Sequence, residues 1–332
     1  MHPTEPFSCL MVRSVEGEVR CELETISADE LPPGDVLIRV EYSSLNYKDA
    51  LASRASKGIV KQLPHVPGID CAGVVVANDQ PDYSEGDRVL VTGYGLGGSH
   101  WGGFSEYVKV PSEWVVPLPP TLSTREAMIY GTAGFTAAQA VSALVLHGVK
   151  PSDGEIVVTG ASGGVGSLSI GLLAKLGYEV TAISGKPELH DDLLKLGARC
   201  VLGREAVQDD SKGPLLSAQW AGAIDTVGGD PLTTILRSTQ HRGCVAACGL
   251  VAGDQLPLTV YPFILRGVTL AGIDSAKCPR DSRLNIWKKL SNEWKLDSLE
   301  ELARAVPLSE LPAEIEEMLA GNARGRVVVN LQ

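Results

Sequence analysis

Gly160, Gly163 and Gly166 follow directly on Ile156-Val157-Val158-Thr159, and the chain resumes as Ser167-Leu168-Ser169-Ile170-Gly171-Leu172-Leu173-Ala174-Lys175-Leu176. The first run is apolar and β-branched, as in a buried parallel strand; the second has apolar residues at helical spacing. Glycines between a strand and a helix let the backbone approach a pyrophosphate, and the helix start offers unpaired N–H groups and a partial positive charge. The spacing G-x-x-G-x-x-G departs from the usual G-x-G-x-x-G, and a tight turn with no ligand would use the same residues. A second strand, residues 178–183, ends in Ser184-Gly185-Lys186, with no carboxylate before Glu188. A dinucleotide site for NAD usually has Asp or Glu there, bonded to the ribose hydroxyls. A hydroxyl and an ammonium suit a 2′-phosphate instead, and Arg204, just beyond a third strand, adds a second cation. These residues predict an NADPH site; the plain alternative for Lys186 is a lysine on the solvated face of a helix.

The elements that must position these residues continue for a hundred positions. A helix over 188–196 is ended by Gly197, and short strands are expected at 200–202, 222–227, 243–248 and 268–273. Alternating strands and helices give a doubly wound parallel sheet that holds its ligand outside the carboxyl ends of the strands. Upstream, the runs 36–40, 73–76, 88–91 and 106–110 are strand-like and separated by glycine and proline, as in a partly open β-barrel. Residues 123–146 read as a helix leading from one domain to the other. Helical patterns at 284–290, 299–305 and 313–319 precede a last strand at 326–329. The expected plan is α/β, with a Rossmann domain at 128–272 inserted into a catalytic domain formed by 1–127 and 273–332.

At 332 residues, two domains are the natural expectation. A formal charge of −11 argues against nucleic acid or an anionic membrane as the main partner, though a local cationic rim can still receive an anionic substrate. No segment reads as a signal peptide or a membrane span, and seven scattered cysteines suit free thiols in a reducing cytoplasm.

Several blocks together resemble the medium-chain dehydrogenase/reductase superfamily and, within it, the zinc-independent YhdH/YhfP-type branch. They are Ser43-Ser44-Leu45-Asn46-Tyr47-Lys48-Asp49-Ala50, Pro67-Gly68-Ile69-Asp70, His100-Trp101-Gly102-Gly103, Gly131-Thr132-Ala133-Gly134-Phe135-Thr136-Ala137 and Ala161-Ser162-Gly163-Gly164-Val165-Gly166. Trp220 to Gly228, Ala246 to Leu250 and Pro262 to Arg266 fit the same branch. The resemblance runs from about residue 9 to the end. It implies a GroES-like barrel domain, a homodimer that pairs strand 268–273 with its twin, and a quinone oxidoreductase-like protein of the AcuI type, an acryloyl-CoA reductase using NADPH. It also implies cofactor contacts from Tyr47, Ser162, Gly163, Gly164, Val165, Ser184, Gly185, Lys186, Arg204, Leu250, Ile264, Ser275 and a residue near Asn322.

Zinc-dependent relatives carry a Cys within the block held here by Asn46-Tyr47-Lys48-Asp49, a His after the later glycine, and a four-cysteine lobe. None of these is present, and the six histidines show no ligand spacing, so no metal is expected. Polarising a ketone or alcohol is difficult without a Lewis acid, whereas hydride addition to an activated C=C is feasible. The expected reaction is hydride transfer to the β-carbon of an α,β-unsaturated acyl-CoA, with Tyr47 donating a hydrogen bond or proton and Asn46 orienting an amide or carbonyl. Asp49 reads as the cap of the helix that follows it. The glycine-rich stretch 93–103, with His100 and Trp101, is expected to line the substrate cleft or to be a plain loop. Arg54, Lys57, Lys61, Lys277, Arg280 and Arg283 are candidates for the CoA phosphates. The alternatives are an NADPH:quinone or enone oxidoreductase, and an NADPH-binding sensor without turnover.

Overall fold

A computed structural model describes Pro3 and residues 5–211 and 213–332. They form two compact units: Met1–Thr132 with Ala276–Asn292 and Asp297–Gln332, and Ala133–Ser275 with Glu293–Leu296.

The first unit opens with strands β1 (Phe7–Val15) and β2 (Glu18–Ile26), an antiparallel hairpin. Its turn residues Glu16 and Gly17 both have positive φ, 53° and 88°, as a tight two-residue hairpin turn requires. This hairpin is absent from the elements read in the sequence, because the apolar run Cys9-Leu10-Met11-Val12 hides the alternation of its first strand. Then follow β3 (Val36–Leu45), α1 (Tyr47–Ala52), β4 (Asp70–Asn78), β5 (Arg88–Thr92), β6 (Tyr107–Val110), β7 (Val116–Pro117) and the start of α2 (Thr124–Leu146), which continues into the second unit after Thr132. The expected continuous helix over 123–146 is broken at Gly131, whose φ of 50° and ψ of −153° lie outside any helix. A side chain there would collide with Asp70 Oδ2 and Ser44 Oγ, each 2.6 Å from where its Cβ would stand. By length and composition α2 is apolar enough to cross a membrane, but most of it is buried within the protein.

The second unit carries β8 (Ile156–Val158), α3 (Gly164–Lys175), β9 (Val180–Ile183), α4 (His190–Lys195), β10 (Cys200–Leu202), β11 (Trp220–Asp225), α5 (Gly229–Ser238), β12 (Thr239–Ala247), α6 (Tyr261–Arg266) and β13 (Thr269–Gly272). All six strands are parallel, in the order β10-β9-β8-β11-β12-β13. That is the order of a doubly wound dinucleotide-binding sheet, with its crevice between β8 and β11. Val157, Ile183, Trp220, Ile235, Leu236 and Val245 pack its core.

The chain then returns to the first unit with α7 (Arg280–Leu290), β14 (Ala303–Pro307), α8 (Leu311–Leu319) and β15 (Arg326–Asn330). The helix expected over 299–305 is a short 3₁₀ turn, Leu299–Leu302, followed by β14. Two leucines three residues apart satisfy a single turn as well as a helix. Pairing Ala303–Pro307 in parallel with β15 buries Val306, and Pro307 cannot continue a helix. The sheet of this unit has seven strands, β14-β15-β3-β4-β5-β7 with β6 on β3. Val36, Val40, Val75, Val89, Val91 and Val108 form one cluster, while Leu45, Phe104, Val327 and Val329 pack with the hairpin in another. The Rossmann sheet and the GroES-like antiparallel unit are the α/β architecture expected from the sequence.

Candidate active site

In the second unit, a cleft of about 610 Å³ opens at the carboxyl ends of the parallel strands. Thr159, Gly160 and Ser162 from the turn after β8, Ser184, Gly185 and Lys186 after β9, and Arg204 after β10 line it. The turn is possible only with glycine at two places. Gly160 has φ +57°, and a Cβ on Gly166 would stand 2.3 Å from Gly160 O. Gly163 is the residue before α3, so the free N–H groups of Gly164 and Val165 lie at the helix start. A Cβ on Gly185 would meet Arg204 Nε at 2.5 Å, which places the guanidinium directly over the Ser184-Gly185-Lys186 backbone. Ser184 Oγ accepts the Lys186 N–H at 3.2 Å. Ser184, Lys186 and Arg204 thus line the same cleft, a set of groups whose chemistry fits a 2′-phosphorylated dinucleotide.

Carboxylates also stand on this rim: Asp209, Asp210 and Asp230. Asp209 accepts a hydrogen bond from the buried Arg237 at 2.8 Å, and its Ser211 partner together with Arg237 holds the carboxyl below its ordinary range. Motif reading missed these residues, as it missed Thr159 and Val227. The rule that ligands bind beyond strand ends would have found the last two, since Thr159 follows β8 and Val227 follows β11.

The remaining expected cofactor residues are dispersed. Leu250 is exposed beside Val251 and Ala252 of the cleft, Ile264 is exposed on α6, and Ser275 is the half-buried end of the unit's main segment. Asn322 belongs to the first unit, exposed, with its side chain bonded to Glu317 at 3.1 Å.

In the first unit, the branch blocks assemble around two carboxylates with no exposure, Asp49 and Asp70. Asp70 Oδ2 accepts from Ser44 Oγ (2.7 Å), Asn46 Nδ2 (2.8 Å) and Thr132 N–H (2.8 Å), and its other oxygen accepts the Thr132 hydroxyl. The helix break at Gly131 is what turns the Thr132 N–H toward it. Asp49 Oδ1 accepts the N–H groups of Gly68 (3.1 Å) and Ile69 (2.8 Å), and Oδ2 accepts Asn46 N–H at 2.9 Å. Asp49 therefore closes the start of α1 and ties it to the Pro67–Asp70 loop. Burial, and next the charge of Asp70, push its carboxyl up to about 7. Arg326, also buried, donates to Ile129 O (2.9 Å), Leu45 O (3.2 Å) and Asn46 Oδ1 (3.1 Å).

Asn46 thus donates to Asp70 and accepts from Arg326, and its amide also reaches Ser44 O and Asp49. Both polar atoms of Asn46, expected to orient an amide or carbonyl, have protein partners in this network. Tyr47, the first residue of α1, is instead 49% exposed, its backbone fixed by the network beside it.

Two of the proposed phosphate cations are structural. Arg283 is fully buried, bonded to Thr92 O (2.7 Å) and Thr92 Oγ1 (3.0 Å), with its guanidinium 4.3 Å from the Tyr94 ring centre. Arg280 bonds the Glu113 and Val115 carbonyls and Tyr83 Oη, and Arg54 pairs with Glu316. Lys57, Lys61 and Lys277 are exposed. The glycines of 93–103 serve backbone packing: a Cβ on Gly97, Gly102 or Gly103 would strike the Pro67–Asp70 backbone at 2.6 Å or less. His100 Nε2 bonds Lys109 O at 2.7 Å, and Trp101 donates to Pro64 O at 3.0 Å. Among the described residues, no group of three or more His, Cys, Asp or Glu side chains is arranged to hold a metal.

The family model of the alcohol dehydrogenase GroES-like domain matches residues 32–120, and that of the zinc-binding dehydrogenase matches residues 164–292. Acrylyl-CoA reductase AcuI of Ruegeria pomeroyi is 45% identical over 98% of this chain and 99% of its own length. YhfP of Bacillus subtilis, which bears a quinone oxidoreductase name, is 47% identical over 98% of this chain and 99% of its own. Its crystal structure with NAD bound matches with a TM-score of 0.96 at 46% identity, covering 98% of this chain and 100% of that one. Escherichia coli YhdH with bound NADPH matches with a TM-score of 0.94 at 45% identity over the same shares of the two chains. Conserved architecture and near-complete coverage lead to one conclusion: the chain belongs to the medium-chain dehydrogenase/reductase superfamily, in its YhdH/AcuI branch.

Proposed function

We propose that this protein is an NADPH-dependent reductase of the C=C bond of α,β-unsaturated acyl-CoA, converting acrylyl-CoA to propanoyl-CoA. The observation that carries the cofactor is the convergence of Ser184, Lys186 and Arg204 on one end of the cleft. The substrate rests on the 45% identity to AcuI over nearly the whole chain. Bound NADPH supplies a hydride to the β-carbon. The chain's own contribution is to hold the pyrophosphate on the α3 start, to fix the ribose phosphate, and to offer donors where negative charge develops on the thioester oxygen. Tyr47 is the proposed donor, with Asn46, Asp49, Asp70 and Arg326 as the buried frame behind it. No Lewis acid is needed for a double bond already conjugated to a thioester, so dialysis against a strong chelator leaves turnover unchanged.

The enzyme works in the cytoplasm as a homodimer, without a membrane or nucleic acid partner. Support for the dimer comes from β13, the outermost strand of its sheet, with Leu250, Val251, Val260, Ile264 and Leu265 exposed on the same unit. The name of YhfP favours a second reading, quinone reduction on the same scaffold. Steady-state oxidation of NADPH with acrylyl-CoA, crotonyl-CoA and a benzoquinone separates the two. Acrylyl-CoA is expected to give the largest kcat/KM; a larger value for the quinone establishes the second reading, and no turnover with any of them points to a sensor.

A further inference from the structure

Thr159 follows β8 and Asp225 ends β11, the two strands that flank the reversal in sheet order. Both are buried, Thr159 to 1% exposure and Asp225 to none. Thr159 Oγ1 donates to Asp225 Oδ1 at 2.7 Å and accepts the Thr226 N–H at 2.9 Å. Thr226 Oγ1 returns a hydrogen bond to Thr159 O at 2.9 Å, and Asp225 Oδ2 accepts the Gly228 N–H at 2.7 Å. Both Asp225 oxygens accept, so Asp225 fixes the direction of the Thr159 hydroxyl proton and leaves that oxygen's lone pair for Thr226. The next residue has no slack: a Cβ on Gly160 would lie 2.2 Å from Thr226 Oγ1. Thr159, Gly160 and Val227, from both sides of this contact, line the cofactor cleft.

We infer that Asp225 and Thr159 form a latch at the strand reversal that sets the glycine turn and Val227 in register for the cofactor. They are positioning residues, acting through the backbone of Gly160 and Thr226–Gly228. The inference rests on reading this cleft as the NADPH site.

The test compares Thr159→Val, Thr159→Ser and Asp225→Asn with the wild-type enzyme, measuring NADPH affinity by its fluorescence, KM and kcat with acrylyl-CoA, and the melting temperature. Thr159→Val removes the hydroxyl at nearly constant volume. It is expected to raise Kd and KM for NADPH about tenfold, with kcat at saturating NADPH and KM for acrylyl-CoA changed less than about twofold. Thr159→Ser restores NADPH affinity, and Asp225→Asn behaves as Thr159→Val; should Asp225→Asn not fold, the valine and serine pair decides. A Thr159→Val enzyme with a lower melting temperature but wild-type Kd for NADPH overturns the latch alone. Failure of the wild-type enzyme to bind NADPH overturns the reading of the cleft, and the latch with it.

Discussion

Individual side chains were legible where their chemistry is local. Ser184, Gly185, Lys186 and Arg204 were read from the end of one strand and the start of the next loop, and they line one cleft. Removing either cation by Lys186→Ala or Arg204→Ala takes away a charged hydrogen bond of about 1.5–3 kcal/mol, so Kd for NADPH should rise roughly 10- to 100-fold. Affinity for NADH, which lacks the phosphate, should change little; equal losses for both cofactors would count against the assignment. The partners of Asn46 come from three stretches of chain: its own neighbours Ser44 and Asp49, then Asp70, and Arg326. The spacing of Asn46 and Asp49 shows the local part of the network, a helix cap, while the links to Asp70 and Arg326 leave no trace in local spacing. The same burial makes Asp49 a pH-sensitive residue. Its carboxyl moves from an ordinary 3.8 to about 7, so between those values the folded state holds a proton that the unfolded chain has released. Stability from this site is therefore full below pH 3.8, falls as pH rises toward 7 and is flat above. Chemical denaturation across pH should show the advantage of the wild type over Asp49→Asn shrinking through that window. A constant difference would mean that Asp49 is ionised throughout.

Elements were legible where period and punctuation agree. β8, β9, β10 and β13 show plainly because each is a short run bounded by glycine on both sides. Two failures share a cause, since long-range pairing outweighed local pattern: β14 forms because β15 offers it a neighbour, and α2 breaks because Asp70 claims Thr132. Gly131 is the hinge of the second case. Gly131→Ala combines strain at positive φ with a Cβ among buried polar groups, and a loss of about 3 kcal/mol or more is expected in denaturant unfolding. Unfolding at the wild-type midpoint would show that the break does not depend on glycine. In the other unit, a Cβ on Gly166 pushes α3 away from the Gly160 carbonyl. Gly166→Ala should weaken NADPH binding by about tenfold or more in isothermal titration; wild-type affinity would show that the close approach of α3 to the turn does not matter for the cofactor.

At the scale of the whole molecule, the fold class followed from the order of strand types, and a resemblance spread over many separate blocks supplied the branch. Composition could not have done so, because an acidic chain with few aromatics describes many enzymes. Substrate identity was the least legible property, since of the cations offered for the CoA phosphates Arg283, Arg280 and Arg54 bond protein groups and Lys57, Lys61 and Lys277 are exposed. The most direct test of the account is therefore the initial rate of NADPH oxidation by purified protein with acrylyl-CoA, with propanoyl-CoA quantified in the same samples. One propanoyl-CoA per NADPH consumed, at a kcat/KM above that for benzoquinone and above that with NADH, is the predicted result. NADPH oxidised by the quinone with no propanoyl-CoA formed, or a preference for NADH, would contradict it.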